Sequence, residues 1–386
     1  MTILFHRAIK IGDNVVAIRA MYAIKCLFPS ANLIVATNHI GANLYAKLPF
    51  IDTLLNLEAN PNAIYAIKSI DYFIATHRIA ANIALAKSTN AKKIIIRAHL
   101  RSLLLPNFIN DFNFFNRFRP ESANLLRLTR LIDKREFKRN IKNINWGGAK
   151  LRFGRENSAF VEDFLANVSD KMRFGDKSRK LIGVNIFGSG GVAHLGLNSW
   201  REIVEILAAE HSAYNFVILS APTHNLPSFN APNVAIFKNN NDLLNLVAMI
   251  ARFSALISVD TGSVHIADNL QIPTLGIYTR KMAKRWCGGT YGGRFAKIIM
   301  PNNKNETRDK EAILSFLRAN LIDFSENSAN LGANPANPVN SSANPANLTN
   351  LGANLTDSNA NPSNLANSTA NPAKFSENPT QTRSAK

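Results

Sequence analysis

The chain has 386 residues and is 46% hydrophobic, enough for two domains because a domain usually takes about 100–200 residues. Its two cysteines, Cys26 and Cys287, exclude a disulfide-stabilised secreted scaffold and indicate a reducing compartment. The formal net charge of +19 favours polyanionic partners, which are nucleic acid, an anionic membrane or a phosphorylated substrate.

The N-terminal residues do not have the layout of a signal peptide. A strand-like start is followed at once by Arg7 and Lys10, with no long apolar run between basic and small residues. The longest apolar stretch, 245–259, contains Arg252 and is shorter than the ~20 residues that a membrane span needs. These features predict a cytoplasmic protein.

Strand-like and helix-like segments alternate in two sets. The first set has strands at 2–6, 32–36, 53–57, 72–75 and 93–97 and helices at 14–27, 39–48, 79–87 and 122–131. The second set has strands at 181–187, 215–219, 233–237, 255–259 and 274–277 and helices at 199–210, 241–252 and 263–270. Strands separated by helices predict parallel sheets built from βαβ units. We therefore expect an α/β protein with two Rossmann-like, doubly wound domains, 1–150 and 151–304, that face a cleft.

Two further segments complete the predicted organisation. A helix within 305–324 is expected to pack back at the junction of the two domains. From 325 to 386 the chain repeats Ala-Asn-Pro and Ala-Asn-Leu units, with fifteen Asn, six Pro and one aromatic residue. Such a composition buries too little apolar surface to offset its ordering entropy, so we predict a disordered tail.

The basic residues are concentrated in one part of the first domain. Between Lys92 and Lys142 there are thirteen Lys and Arg against four Asp and Glu, a net +9. This segment is either a surface that attracts phosphates or an ordinary solvated face.

A first motif, Asp260-Thr-Gly-Ser-Val-His265, follows one predicted strand and opens a helix. Ligands of open α/β sheets bind at the carboxyl ends of strands, where helix N-termini offer unpaired N–H groups. Gly262 permits close approach of the backbone, and Thr261 and Ser263 add hydroxyl donors. The motif predicts a diphosphate-binding turn. On local grounds alone, a helix capped by Thr261 or Ser263 fits equally well.

A second motif, Arg7-Ala-Ile-Lys-Ile-Gly-Asp13, follows the first strand and opens the first helix. Gly12 supplies the turn. Asp13 is interpreted either as the N-cap of the helix or as a carboxylate that faces the cleft and serves as a general base.

Taken together, these segments resemble glycosyltransferase family 9, the lipopolysaccharide heptosyltransferase family. The basic residue before Gly-Asp and the motif Val259-Asp-Thr-Gly-Ser-Val-His-Ile-Ala267 carry the resemblance, which extends over roughly residues 1–300. The segments 71–74 and 90–96, and Asn198-Ser-Trp-Arg-Glu-Ile203 at the start of the second domain, are similar as well. The resemblance implies the GT-B fold, in which two Rossmann-like domains enclose the cleft.

The resemblance also implies an inverting transfer of heptose, or a related sugar, from an ADP-activated donor to a lipopolysaccharide core acceptor. Asp13 would then be the catalytic base, and Asp260, Thr261, Gly262, Ser263 and His265 would bind the donor. On the acceptor side we expect Arg7, Lys10, Gly12, Arg97 and Arg101. The chain has no Asp-x-Asp motif, so no metal and no other cofactor is expected.

Two positions depart from the family pattern. Family members often have a donor-binding lysine where this chain has Ala193. The glycine-rich loop around it is expected to contact the donor through Ser189 and His194 instead. Where the family often has an acidic residue that binds the ribose, this chain has His224 and Asn225, and Asn225 is the predicted donor contact.

The expected partners are an ADP-sugar, a phosphorylated core acceptor and the anionic surface of the inner membrane, with the protein itself a peripheral monomer. Two alternatives stay open. One is a GT-B nucleotide-sugar epimerase or hydrolase. The other is a basic nucleic-acid-binding protein, favoured by aromatic residues beside Arg117 and Arg119, although neither motif has a role in such a protein.

Overall fold

The computed structural model describes residues 1–77, 79–98, 100–112, 119–169, 178–188 and 191–326. Two six-stranded sheets dominate it, and the strand pairs of both are parallel. Most of their strands are apolar runs buried on both faces, as expected of parallel sheets covered by helices. The predicted pair of doubly wound α/β domains is confirmed.

The first sheet has the strand order β3-β2-β1-β4-β5-β6. Its strands are β1 Thr2–His6, β2 Asn32–Thr37, β3 Thr53–Asn56, β4 Ile70–Ala75, β5 Ala91–Arg97 and β6 Phe108–Asp111. Its helices are α1 Ile11–Val15, α2 Ile18–Leu27, α3 His39–Tyr45, α4 Ala80–Ser88, α5 Glu121–Thr129 and α6 Lys134–Asn140. The single helix predicted over 14–27 is two helices, because the chain tightens at Ala17, whose N–H bonds to the Asn14 carbonyl.

The second sheet repeats this topology in the order β11-β10-β7-β12-β13-β14. Its strands are β7 Lys180–Asn185, β10 Tyr214–Ser220, β11 Val234–Lys238, β12 Ala255–Val259, β13 Thr274–Thr279 and β14 Phe295–Met300, and β8 Phe187–Gly188 forms a small hairpin with β9 Gly191–Val192. Its helices are α7 Arg155–Ser169, α8 Leu197–Glu210, α9 Leu243–Ile250, α10 Gly262–Leu270, α11 Arg280–Arg285 and α12 Glu306–Glu326.

The last helix, α12, does not pack at the junction as predicted. Its buried face, formed by Ile313, Leu317, Leu321 and Phe324, belongs to the core of the second domain. Because these residues recur at about helical spacing, one stripe of α12 is apolar and lies against α8 and the second sheet. The helix also runs to Glu326, two residues past the predicted boundary, and the rest of the predicted disordered tail lies outside the described residues.

Side-chain amides connect the two domains on the side of α3 and α9. Asn43 on α3 donates to Asp242 Oδ1 (3.0 Å) and accepts from the Leu243 N–H (2.8 Å). Asn269 on α10 accepts from the Leu151 N–H (2.6 Å) and donates to the Ala149 carbonyl (2.8 Å). These bonds join the two domains at α3 and at α10.

Candidate active site at the domain junction

Both sequence motifs lie at the point where strand order reverses in their sheet. The Arg7–Asp13 motif follows β1, whose neighbours β2 and β4 continue the sheet in opposite directions, and the Asp260–His265 motif follows β12 beside β7. At such switch points the helices on either side diverge, which leaves a crevice at the carboxyl ends of the strands. Each motif therefore occupies the position where a doubly wound domain binds its ligand.

The two motifs contact each other directly through their glycines. A Cβ atom on Gly12 would lie 2.6 Å from Cδ2 of His265, and one on Gly262 would lie 2.6 Å from Cγ2 of Ile11. Side chains at these positions would separate α1 from α10, so both glycines are required by close packing. The motifs thus form one site, although they belong to different domains.

Asp13 is the third residue of α1 and does not cap it. Arg7 Nη2 donates to Asp13 Oδ1 (2.9 Å), and Arg7 Nε donates to the Asp13 carbonyl (3.0 Å). The side chain of Asp13 is 18% exposed. Burial raises the pKa of Asp13, while the Arg7 charge opposes this rise. The N-cap interpretation fails because the N-cap position is Lys10.

The N-terminus of α10 is not capped by a side chain. Thr261 occupies the N-cap position without a side-chain hydrogen bond to the helix, and Ser263 Oγ accepts from Asn185 Nδ2 (2.9 Å). Among the described residues, no acceptor is bonded to the main-chain N–H groups of Gly262 or Ser263. These N–H groups, together with the helix dipole, are suited to bind an anion. The capped-helix interpretation is not supported.

His265 and Asp260 are both kept neutral more readily by burial than they would be in water. Burial lowers the pKa of His265 to about 4, so its imidazole is uncharged at neutral pH. The ring packs on Gly12 and lies edge-on to Trp286, with 6.0 Å between centroids. Burial raises the pKa of Asp260 to about 6. A carboxyl group that is easily protonated repels a nearby diphosphate less than an ordinary aspartate does.

The remaining predicted donor contacts are spread along the second domain. Ser189 lies outside the described residues. His194 is half-buried in the left-handed region, with φ of 69°, and burial lowers its pKa. Asn225 is exposed. Its neighbour His224 stacks on Phe187 with 3.7 Å between centroids and accepts from the Ala221 N–H.

The predicted acceptor residues divide into exposed and buried groups. Lys10 is exposed, whereas Arg7 has no exposed surface and turns inward to Asp13. Arg97 is 13% exposed, and its Nη2 donates to Glu121 Oε1 (2.7 Å). The side chain of Arg101 lies outside the described residues. Arg7 therefore positions Asp13 and has no surface with which to contact an acceptor.

Comparison with known proteins agrees with this geometry. The family profile of glycosyltransferase family 9 (heptosyltransferase) matches residues 199–316, which include the α10 motif. A Haemophilus influenzae protein named "Putative glycosyltransferase" is 23% identical over 74% of this chain and 85% of its own length. The chain is a glycosyltransferase that resembles family 9. The suspected resemblance is confirmed.

Solved structures confirm the GT-B fold of this glycosyltransferase. A family 9 glycosyl transferase from Veillonella parvula superposes with a TM-score of 0.66 at 14% identity, over 83% of this chain and 97% of its own. ADP-heptose lipopolysaccharide heptosyltransferase II of E. coli gives a TM-score of 0.61 at 15% identity, over 84% and 99%. At these identities the likeness concerns the arrangement of the two domains.

Sequence reasoning missed the ion pair between Glu121 and Arg285 beside the candidate site. Glu121 begins α5 and is 1% exposed, and Arg285 ends α11 in the other domain. Their hydrogen bonds join segments 164 positions apart in the sequence. No local sequence pattern predicts such a pair. The one available signal was that Pro120 places Glu121 in the first turn of a helix.

Within the residues that the structure describes, no group of three or more His, Cys, Asp or Glu side chains is placed to hold a metal ion. None of the helices in the same residues has the length and apolar character of a membrane span.

Proposed function

We propose that this glycosyltransferase is an inverting enzyme that moves a heptose, or a related sugar, from an ADP-activated donor to a phosphorylated lipopolysaccharide or lipooligosaccharide core acceptor. The observation that carries the proposal is the direct packing of Gly12 on His265 and Gly262. It places a carboxylate with a raised pKa next to an uncapped helix N-terminus, and these are the two groups that such a transfer requires.

The donor diphosphate is proposed to bind at α10. The anion would accept hydrogen bonds from the N–H groups of Gly262 and Ser263 and from the hydroxyl of Thr261. The neutral ring of His265 packs against Gly12 below this position. The structure of E. coli heptosyltransferase WaaC with ADP, at a TM-score of 0.58 and 13% identity, supports ADP as the nucleotide.

In the proposed reaction Asp13 removes the proton from the acceptor hydroxyl. The hydroxyl oxygen forms a bond to the anomeric carbon, and the bond from that carbon to the diphosphate oxygen breaks. ADP leaves with the bonding electron pair, and the first turn of α10 stabilises the negative charge that develops on it. Attack from the face opposite the leaving group inverts the anomeric centre. This mechanism needs no metal, because the helix N-terminus and basic side chains neutralise the leaving group.

The environment of Asp13 suits a general base. A base works best when its pKa lies near the working pH, and burial moves the pKa of Asp13 upward, towards that range. Arg7 holds Oδ1 and leaves Oδ2 for the proton of the acceptor.

We propose that the acceptor is presented at a membrane surface. Five of the nine large hydrophobic residues that are exposed in the described chain lie between Ile79 and Phe112, in the first domain. Leu100 and Leu104 are 81% and 92% exposed in the connection after β5, close in sequence to Arg97 at the cleft. An amphiphilic acceptor embedded in an anionic bilayer accounts for both these leucines and the basic charge of this domain.

A thermal-shift series tests the proposed donor class without an acceptor. A ligand that binds only the folded state raises the melting temperature. At a concentration of a hundred times its Kd it adds about 2.7 kcal/mol to the free energy of unfolding. We expect ADP at millimolar concentration to raise the melting temperature more than UDP, GDP or CDP. A series in which no nucleoside diphosphate stabilises the protein contradicts the donor site at α10. Stabilisation by UDP alone contradicts ADP as the nucleotide of the donor but is compatible with a donor site at α10.

A further inference from the structure

The carboxylate of Glu121 is the centre of an ion-pair network with three arginines. Its Oε1 accepts from Arg97 Nη2 at 2.7 Å, and its Oε2 accepts from Arg285 Nε and Nη2 at 3.1 and 2.9 Å. Nη1 of Arg7 lies 3.8 Å from Oε1. With 1% of its side chain exposed, Glu121 remains ionised, because the arginines hold its pKa below its usual range.

These four residues come from separate elements. Arg7 follows β1, Arg97 ends β5, Glu121 begins α5, and Arg285 ends α11 in the second domain. The guanidinium of Arg7 uses its other nitrogens to hold Asp13. A continuous chain of charged contacts therefore runs from Asp13 through Arg7 and Glu121 to Arg285. It crosses from the domain of the proposed base to the domain of the proposed donor site.

We propose that Glu121 is a positioning residue for Asp13. Its ion pair with Arg285 couples the position of the second domain, relative to the first, to the orientation and ionisation of the Asp13 carboxylate. The inference rests on the proposed function in one respect, the role of Asp13 as general base. When the second domain shifts and Arg285 leaves Glu121, the charge of Glu121 is less neutralised. Arg7 is then drawn more strongly towards Glu121 and away from Asp13.

The charged neighbours of Asp13 act in opposite directions, which makes the coupling measurable. Burial and the negative charge of Glu121 raise the pKa of Asp13, and the charges of Arg7, Arg285 and Lys10 lower it. The neighbouring titratable groups are uncharged at neutral pH: Tyr45, whose pKa is raised by burial, and His6, His77 and His265, whose pKa values burial lowers to about 4. Arg97 acts on Asp13 through Glu121.

A purely structural ion pair predicts a different pattern. Breaking a buried pair lowers stability, whichever partner is removed. A positioning role predicts that Glu121→Gln and Arg285→Met move the pKa of Asp13 in opposite directions, since one variant removes a negative charge and the other a positive charge. A loss of stability alone cannot produce shifts of opposite sign.

The experiment measures the ionisation of Asp13 in two ways on the full-length protein. The first is the acidic limb of the pH profile of kcat/KM for transfer from an ADP-sugar. The second is an NMR titration of the Asp13 carboxyl carbon, which needs no activity. Glu121→Gln is expected to move the acidic limb of the profile and the NMR titration midpoint to lower pH. Arg285→Met is expected to move them to higher pH, and each shift should be about one pH unit. Arg285→Lys retains the charge and should restore most of the parental profile.

Lys281→Met provides the matched control, because Lys281 is an exposed cation on the same helix as Arg285. It should leave both readouts at the parental pH. Shifts of the same sign in the two test variants, or no shift in either, overturn the proposal. If Glu121→Gln does not fold, Arg285→Met alone tests the proposal. The Arg285 side chain is 42% exposed, so its replacement should leave the protein folded. A parental protein without transfer activity contradicts the proposed function, and the NMR titration still tests the network.

Discussion

At the scale of single residues, the chemistry depends on how one carboxylate is held. Asp13 lies in the first turn of α1, where the helix dipole favours its ionised form, yet burial opposes ionisation and raises its pKa. Arg7 has no exposed surface, and it orients the carboxylate by two hydrogen bonds, one to the side chain and one to the carbonyl of Asp13. The proposed base is therefore oriented before an acceptor binds.

We expect Asp13→Asn to lower the rate of sugar transfer by about 10²–10⁴-fold, the usual contribution of a general base. Asparagine has nearly the same size and still accepts from Arg7, but its amide does not take up a proton at neutral pH. Nucleotide affinity, measured by calorimetry with ADP, and the melting temperature should stay close to the parental values. Asp163→Asn, an exposed carboxylate on α7, is the control. Transfer by Asp13→Asn at near the parental rate would show that the base lies elsewhere.

The residue scale is also where the sequence was least informative. The Asp13 and Asp260–His265 motifs could be recognised because each is a short pattern between a strand and a helix. The ion pair of Glu121 with Arg285 could not be recognised, because it joins two segments that are distant in sequence. The inward direction of Arg7 and Arg97 was missed for the same reason, since both read as surface cations until Glu121 is placed beside them.

At the scale of elements, the site depends on how closely α1 and α10 approach. The first turn of each helix has a glycine where the other helix needs space. Glycine inside a helix costs about 1 kcal/mol relative to alanine, so its presence at position 12 is explained by the contact with His265. Removing that contact should therefore reverse the effect of a substitution at Gly12.

We expect Gly12→Ala to destabilise the protein by about 1–3 kcal/mol, because the new methyl group would lie 2.6 Å from the His265 ring. In the background of His265→Ala the obstructing ring is absent. There the same substitution should be neutral or stabilising by up to about 1 kcal/mol, from helix propensity. Denaturant unfolding of the four proteins of this double-mutant cycle gives the coupling. Equal destabilisation in both backgrounds would contradict the contact.

Elements were predicted where periodicity alone determines them. The segments 2–6 and 255–259 were assigned with the bounds that the structure gives, since they are apolar runs between clear turns. The edge strands β6 and β14 were missed. The sequence of β6 is short and half polar, and β14 is separated from the short helix α11 by a glycine-rich segment. The role of α12 was also assigned wrongly, because periodicity reveals an apolar stripe but not the surface that covers it.

At the scale of the whole molecule, charge and apolar surface are concentrated on the same domain. In the described residues between β5 and β6, a single 3₁₀ turn, Leu100–Ser102, takes the place of a crossover helix. A groove of about 540 Å³ remains beside α4, lined by Ala80, Ile83, Ala84, Lys87, Ser88 and Leu105. Tyr65, 54% exposed, extends this surface, since Ser88 Oγ donates to its hydroxyl. An amphipathic surface of this kind is typical of proteins that lie against a bilayer.

We expect the protein to bind vesicles that contain anionic phospholipid and to bind neutral vesicles much less. Replacing Leu100 and Leu104 together by serine should reduce binding to anionic vesicles by about tenfold or more, because two large apolar side chains no longer enter the lipid. Raising the salt concentration should weaken binding of the parental protein, since the basic charge contributes through a screened attraction. Flotation with vesicles of phosphatidylcholine, with and without phosphatidylglycerol, measures each of these effects.

The matched control replaces Ile299 and Ile322 by serine. These residues are 45% and 52% exposed, and they lie in the second domain, away from the groove. A general loss of surface hydrophobicity would weaken both double variants alike, whereas a lipid-binding surface on the first domain predicts that only the leucine variant loses binding. Equal loss in the two variants, or a parental protein that floats with neither kind of vesicle, would contradict the membrane surface. Because neither pair has been placed at the proposed donor site, the donor assignment at α10 would stand in either case and would still be tested by its own nucleotide series.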